Sequence, residues 1–236
     1  MLENINIEDI LFIDIETVPC YESYLEMPEE FRHLWDNKAK QISKIESETP
    51  EGIFQRAGIY AEFGKIICIS VGIVKDNSAR IKSFSGHDES FILMDFAEML
   101  NKNFSSPGKQ LCAHNGKEFD YPYICRRMVI NGIKTPTILD LAGKKPWEVQ
   151  LLDTMELWKF GDYKSYTSLV LLAAVFSIPS PKDDINGSDV ARVYYEENNL
   201  ERIVEYCCKD VVTIIQIFLK FQGKKLISND NIKVII

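Results

Sequence analysis

Four acids stand where acids are costly. Asp14 and Glu16 lie two residues apart at the end of the apolar run Ile10–Ile15, so on a strand both side chains point to one face. Asp120 closes the block His114-Asn115-Gly116-Lys117-Glu118-Phe119-Asp120, just after another short apolar run. Asp210 sits beside the apolar stripe of a long helical segment, and Tyr206, four residues earlier, shares its helix face. Ionised carboxylates in apolar settings need cations or hydrogen-bond donors. Each piece alone has an ordinary reading. With 35 acids in 236 residues, an acid-x-acid pair arises by chance roughly five times at this composition. Asp14 and Glu16 could be a strand end reaching water, Asp210 a solvated helix residue, and Tyr206 core. Their joint order lifts the signal.

The elements that must position these residues follow from periodicity and punctuation. Ile10–Ile15 is short, β-branched and closed by Thr17-Val18-Pro19, which predicts a buried strand. From about 22 to 61 the sequence turns helical: Phe31, Leu34 and Trp35 are at helical spacing after Pro28, and a second short helix is expected after Pro50. This insertion could cover one edge or mouth of the domain. Lys65–Lys75 and Ala79–Phe84 read as strands joined by a hairpin turn at Lys75-Asp76-Asn77-Ser78. Phe91–Leu100 reads as a helix, Gln110–His114 as a strand and Tyr123–Ile130 as a helix. Ser165–Phe176 is a mostly apolar and therefore buried helix, Asp189–Glu197 a further helix, and Asn199–Phe221 the longest. Lys224–Ile236 is either an added strand or a tail. No repeat, low-complexity tract or linker interrupts the order, which predicts one α/β domain over 1–236 with a mixed sheet.

Composition narrows the partners. Lys and Arg total 27 against 35 acids, a net charge of −8, which argues against a broad basic surface coating nucleic acid. The six cysteines form no C-x-x-C pair and only three histidines could join them, so zinc-finger spacing is absent. The first nine residues carry three acids and no base, unlike a secretory signal, and no uncharged apolar run is long enough for a membrane span. A reducing cytoplasm fits these features.

Three segments carry a family resemblance. Phe12-Ile13-Asp14-Ile15-Glu16-Thr17 resembles the first motif of the DEDD 3′-to-5′ exonucleases. Asn115-Gly116-Lys117-Glu118-Phe119-Asp120-Tyr121-Pro122-Tyr123-Ile124 resembles the second, in the form found in proofreading domains of family-B DNA polymerases. Tyr206-Cys207-Cys208-Lys209-Asp210 matches the third, Y-x-x-x-D. The histidine branch would place His where Glu205 stands, so the likeness is to the tyrosine branch. The resemblance runs from about residue 9 to 220. It extends to a stand-alone bacterial group of predicted exonucleases through Ser180–Val190.

The resemblance implies a ribonuclease H-like α/β fold, a mixed central sheet flanked by helices. It implies 3′-to-5′ hydrolysis of single-stranded nucleic acid by two divalent cations, Mg²⁺ or Mn²⁺, whose hardness suits carboxylates. Carried over by motif, Asp14 bridges both metals, Glu16 and Asp210 complete the site that activates water, and Asp120 holds the second metal. Tyr206 orients the attacking water. Thr17, Asn115 and Phe119 are the substrate-binding candidates, with a turn role for Asn115 and core packing for Phe119 as alternatives.

Lys144-Lys145, Arg126-Arg127 and Lys182 could meet phosphates or be solvated surface. Asp153 reads as a helix cap before a site residue, and His114 as structural. The expected substrate is a 3′ end of single-stranded DNA, favoured over RNA. RNA 3′-end trimming is the enzymatic alternative and a non-catalytic binding module the other. Polymerase or repair partners and oligomeric state stay open. The insertion and the extension at about 222–236 are candidate partner surfaces.

Overall fold

The computed structural model describes residues 2–45, 47–145, 148–149, 151–162, 165–179 and 184–235. Six strands form one sheet in the order β5-β4-β1-β2-β3-β6. β1 spans Ile10–Pro19, β2 Gly64–Lys75, β3 Ser78–Ser85, β4 Gln110–Ala113, β5 Leu152–Asp153 and β6 Ile232–Ile235. β1, β2 and β3 are antiparallel neighbours, whereas β4 runs parallel to β1, β5 to β4, and β6 to β3. The expected mixed sheet is therefore present, and the segment after 222 supplies a strand. The hairpin turn between β2 and β3 places both Asp76 and Asn77 at positive φ, the conformation that matches a hairpin's twist.

Helices cover both faces. α1 is Glu29–Ile42, α2 Glu89–Asn103, α3 Asp120–Ile130, α4 Thr154–Lys159, α5 Leu169–Val175, α6 Val190–Tyr195 and α7 Leu200–Phe221. α7 carries its apolar stripe onto β1, β2 and β3, and Phe12 meets Phe218 edge-on at 5.6 Å. Gly72 permits that approach, since a Cβ there would come within 2.7 Å of Val211 Cγ1. On the opposite face Ile13, Ile15, Ile69 and Val71 pack against α2 and α3. Alternation along β1 thus assigns Phe12, Asp14, Glu16 and Val18 to the α7 side.

Three segments differ from the sequence-based expectation. The apolar stretch 165–176 is helical only from Leu169, because Ser168 accepts the Leu171 N–H and starts the helix there. That helix lies half outside the core, with Leu171 and Val175 exposed. The element after Pro50 is a 3-10 turn, Phe54–Ile59. Asp189–Glu197 divides into a 3-10 turn and the shorter α6. The segment between β1 and β2 builds its own aromatic cluster: Trp35 is fully buried against Phe54, Tyr60 and Phe63, and its indole N–H donates to Pro50 O at 2.8 Å.

Candidate active site

β4 pairs with β1 only from Ile10 to Phe12, so β1 continues past its parallel neighbour into Asp14 and Glu16. Such a place, beyond the carboxyl end of a parallel strand, is where an open α/β sheet leaves a crevice. The chain leaving β4 turns through Asn115, at φ +62°, and enters α3 at Asp120. Gly116 permits that turn, because a Cβ there would lie 2.4 Å from Ala113 Cβ. The Asp120 carboxylate then accepts hydrogen bonds from its own N–H and from the N–H of Ile15. The side chain at the start of α3 so takes up a backbone donor of β1.

α7 supplies the other wall. The Tyr206 hydroxyl hydrogen-bonds Asp210, and Tyr206 also feels the charges of Glu16 and Asp14. Glu16, Asp120 and Asp210 are all buried and Asp14 is half-buried. Burial pushes the Asp14 carboxyl well above the usual range, and the charges of Asp210, Glu16 and Asp120 add to it. Burial likewise raises Asp120, aided by Asp153 and Asp210 against its two backbone hydrogen bonds, to about 7. Burial raises the Tyr206 hydroxyl above its ordinary value, and Glu16, Asp210 and Asp14 raise it further. The hydroxyl therefore stays protonated at neutral pH.

The five residues of the three motifs thus meet. The donor set fits hard divalent cations: the carboxylates repel one another, and the strongest charges acting on Asp14 are themselves carboxylates. One neighbour was not foreseen in the sequence. Cys207 lies within a group of side-chain atoms, with Asp14 and Glu16, all inside 4.8 Å of one another. Its thiol donates to Asp14 Oδ2 at 3.3 Å and to Asp14 O at 3.4 Å, and burial holds it as a thiol. Its place in the apolar stripe of α7 made it look like core.

The substrate-binding candidates divide. Thr17 alternates to the opposite face of β1, where it hydrogen-bonds Tyr123. Between Glu16 and Thr17 the register with β2 slips, leaving Ile67 without an opposite residue, a bulge beside the site. Phe119 is half-buried against the α3 core and 5.4 Å from the Tyr123 ring, a packing contact. Asn115 takes the left-handed turn, and its buried Oδ1 has no hydrogen-bond partner.

Asp153 is the cap it was read to be and more. One carboxylate takes the N–H groups of Asn115 and Lys117 at 3.0 and 3.1 Å and those of Met155 and Glu156 at 2.9 and 3.2 Å. It clamps the second-motif loop to the start of α4. His114 is structural as expected: Nε2–H donates to Thr167 O at 3.0 Å and Nδ1 meets Thr154 Oγ1 at 2.9 Å. Burial lowers its pKa and keeps the ring neutral.

Of the basic candidates, Arg127 is corrected: it is buried in an ion pair with Glu89 and no phosphate can reach it. Arg126 and Lys144 line an open groove outside α3, together with Lys117 and Val129. Lys145 is exposed, and Lys182 lies outside the described residues. No helix among the described residues is long and apolar enough to cross a membrane.

Comparison with known proteins adds two findings. The model of a family described as a predicted 3′-5′ exonuclease related to the exonuclease domain of PolB matches residues 59–230. Asp120, Tyr206 and Asp210 fall inside that span, whereas Asp14 and Glu16 precede it. The fold is similar to that of the family B DNA polymerase from the hyperthermophilic archaeon Pyrobaculum calidifontis. The TM-score is 0.51 at 15% identity, over 90% of this chain and 24% of that chain. The likeness fits the ribonuclease H-like arrangement of a mixed sheet between helices, and the chain spans about a quarter of the polymerase's length.

Proposed function

Because the chain belongs to the family of predicted 3′-5′ exonucleases related to the exonuclease domain of PolB, we propose that it removes nucleotides from the 3′ end of single-stranded DNA with two divalent cations. The observation that carries this reading is the convergence of Asp14, Glu16, Asp120 and Asp210 beside Tyr206, with their charges raising one another. A carboxylate set that destabilises itself is suited to an external cation rather than to holding the fold.

Asp14, Glu16, Asp120 and Asp210 would hold Mg²⁺ or Mn²⁺. When bound, these ions would lower the pKa of an attacking water toward neutrality and stabilise the leaving oxygen. The chain's own residues do the positioning. Tyr206, protonated and tied to Asp210, orients the water by a hydrogen bond and does not take its proton. Asp120 is tied to β1 by the Ile15 N–H. Asp153 holds the loop that delivers Asn115 and Asp120. Asn115, on that loop, would meet the terminal nucleotide; its Oδ1 has no hydrogen-bond partner within the chain, which supports this role.

The test is incubation of the purified protein with 5′-labelled single-stranded DNA and matched RNA, with Mg²⁺, Mn²⁺ or chelator. A metal-dependent ladder of 3′-shortened DNA supports the reading. Preference for RNA would redirect it to RNA trimming, and binding without cleavage under every metal condition would overturn it.

A further inference from the structure

Beyond the acids, the α7 side of the sheet carries a positive group that the hydrolytic step does not use. Lys65 stands opposite Val18 in the β1–β2 ladder, on the same face as Asp14 and Glu16. Val18 is two residues past Glu16, which places Lys65 about 7 Å further along the strand. The bulge at Ile67 preserves this facing: Cys68 joins the core under α7 while Ile67 joins the cluster under α6 with Val18, Tyr194 and Tyr206. Tyr206 and Lys65 so border the same small cluster from two sides.

Lys65 is held in place without an acid. Its ammonium lies 5.2 Å and 6.0 Å from the ring centres of Tyr194 and Tyr195 and donates to the Tyr194 hydroxyl at 3.5 Å. The two rings are fixed edge-on at 4.9 Å, and Tyr195 donates to Pro19 O at 2.6 Å, locking α6 to the end of β1. The Tyr194 oxygen is also 2.9 Å from His87 Nδ1. The Tyr194 hydroxyl so joins Lys65 to His87, whose ring is exposed. Among the described residues Lys65 makes no ion pair, although the chain carries eight more acids than bases. A half-exposed ammonium, oriented by aromatic rings and next to a hydrolytic site, has the chemistry of a phosphate subsite.

We propose that Lys65, oriented by Tyr194 and Tyr195 and flanked by His87, takes a backbone phosphate of the single strand next to the phosphate at the acids. The inference rests on the exonuclease reading for its substrate and extends it to how so acidic a chain grips a strand. Lys65 is a binding residue here, not a catalytic one. A role limited to packing against the two rings would leave the salt dependence of strand binding unaltered.

The measurement is anisotropy of a short fluorescent oligothymidylate in the Asp210→Asn background, across a series of salt concentrations. Lys65→Ala should weaken binding about ten-fold and flatten the salt slope by about 0.7, one phosphate contact on a single strand. Lys65→Arg should recover most of both, and Lys65→Gln, which keeps the stem, should behave as Lys65→Ala. With Asp210 intact, Lys65→Ala should raise KM about ten-fold, with a smaller fall in kcat. An unchanged binding salt slope in folded Lys65→Ala and Lys65→Gln overturns the subsite, whether or not the protein is a nuclease. Lys65-dependent, salt-sensitive binding by a chain that never shortens DNA would uphold the subsite and overturn the nuclease reading.

Discussion

Two buried carboxylate sites in this molecule are built by opposite rules. Glu89, at the start of α2, accepts the Ile66 N–H at 2.7 Å, three guanidinium contacts from Arg127 at 2.5–3.1 Å and the Asn131 amide at 2.9 Å. Arg127 spends its remaining reach on Ala61 O at 2.8 Å. Burial works against the Arg127 charge, and the hydrogen bonds and charge of Glu89 outweigh it. The chain supplies its own counter-charge and nearly every donor. On the other face of the sheet Asp120 takes two backbone N–H groups, Asp14 a thiol and Asp210 a phenol, and the charges of Asp210, Glu16 and Asp120 all act against that of Asp14. Neutralised charge holds α2, α3 and the insertion together; like charges gathered around Asp14 suit a cation from outside.

The largest expected effect breaks the second site and spares the fold. Asp14→Ala or Asp210→Ala should drop 3′ shortening of labelled DNA to background. Because each removes a repelled charge, the melting temperature should hold or rise. Near wild-type turnover by either variant would refute the site. The mirror experiment breaks the first site: Arg127→Ala leaves Glu89 buried and unpaired and should cost about 3–5 kcal/mol by denaturant melts. A loss below about 1 kcal/mol would mean that water replaces the guanidinium and that the contrast is false.

How much of this contrast the sequence showed depended on distance along the chain. Asp14 with Glu16, and Tyr206 with Asp210, are pairs set by the strand and helix periods, so their faces were legible. The ordered motifs then joined elements that periodicity cannot join. The Glu89–Arg127 pair is 38 residues apart on two helices, and Arg127 beside Arg126 looked like solvated surface. Asp153 was read as a cap from its neighbours, but its grip on Asn115 and Lys117 is a contact between loops far apart in sequence. Ser165–Phe176 misled by apolarity alone: its first residues are not helical, and Tyr166, Leu171 and Val175 face solvent.

A third, smaller effect sharpens the role of the phenol. Tyr206→Phe removes the hydroxyl tied to Asp210 and should slow cleavage about 10- to 100-fold, near the low end of what a positioned proton-handling group contributes. Metal affinity, read by titrating Mn²⁺ against activity, should stay within about three-fold if the hydroxyl positions water and does not ligate. An unaltered kcat would remove Tyr206 from the mechanism.

The smallest effect tests the comparison without substrate. Asp120 titrates in the folded chain at about 7 against an ordinary 3.8, so the folded state keeps its proton to higher pH than the unfolded state. Stability from this group is full below pH 3.8 and is lost as pH rises through about 7. Surface acids paired with bases run the other way: hydrogen bonds from Arg202 lower Asp184, and those from Arg56 lower Glu48. Their gain is complete above the ordinary carboxylate range, so between about pH 5 and 7.5 the acidic cluster is opposed mainly by buried His114, whose lowered pKa adds stability as pH rises, and the slope lost on Asp120→Asn is the cluster's share. In chelator, the melting temperature should fall by about 3–6 °C across that window, the equivalent of about 1.5 kcal/mol for a chain of this size. Mg²⁺ should flatten the slope by binding the deprotonated set, and Asp120→Asn should flatten it without metal. Arg127→Ala, destabilised through a site on the other face, should keep the slope. A metal-free slope from pH 5 to 7.5 that is the same in Asp120→Asn as in the wild type would show that the four acids are already neutralised by the chain, as Glu89 is.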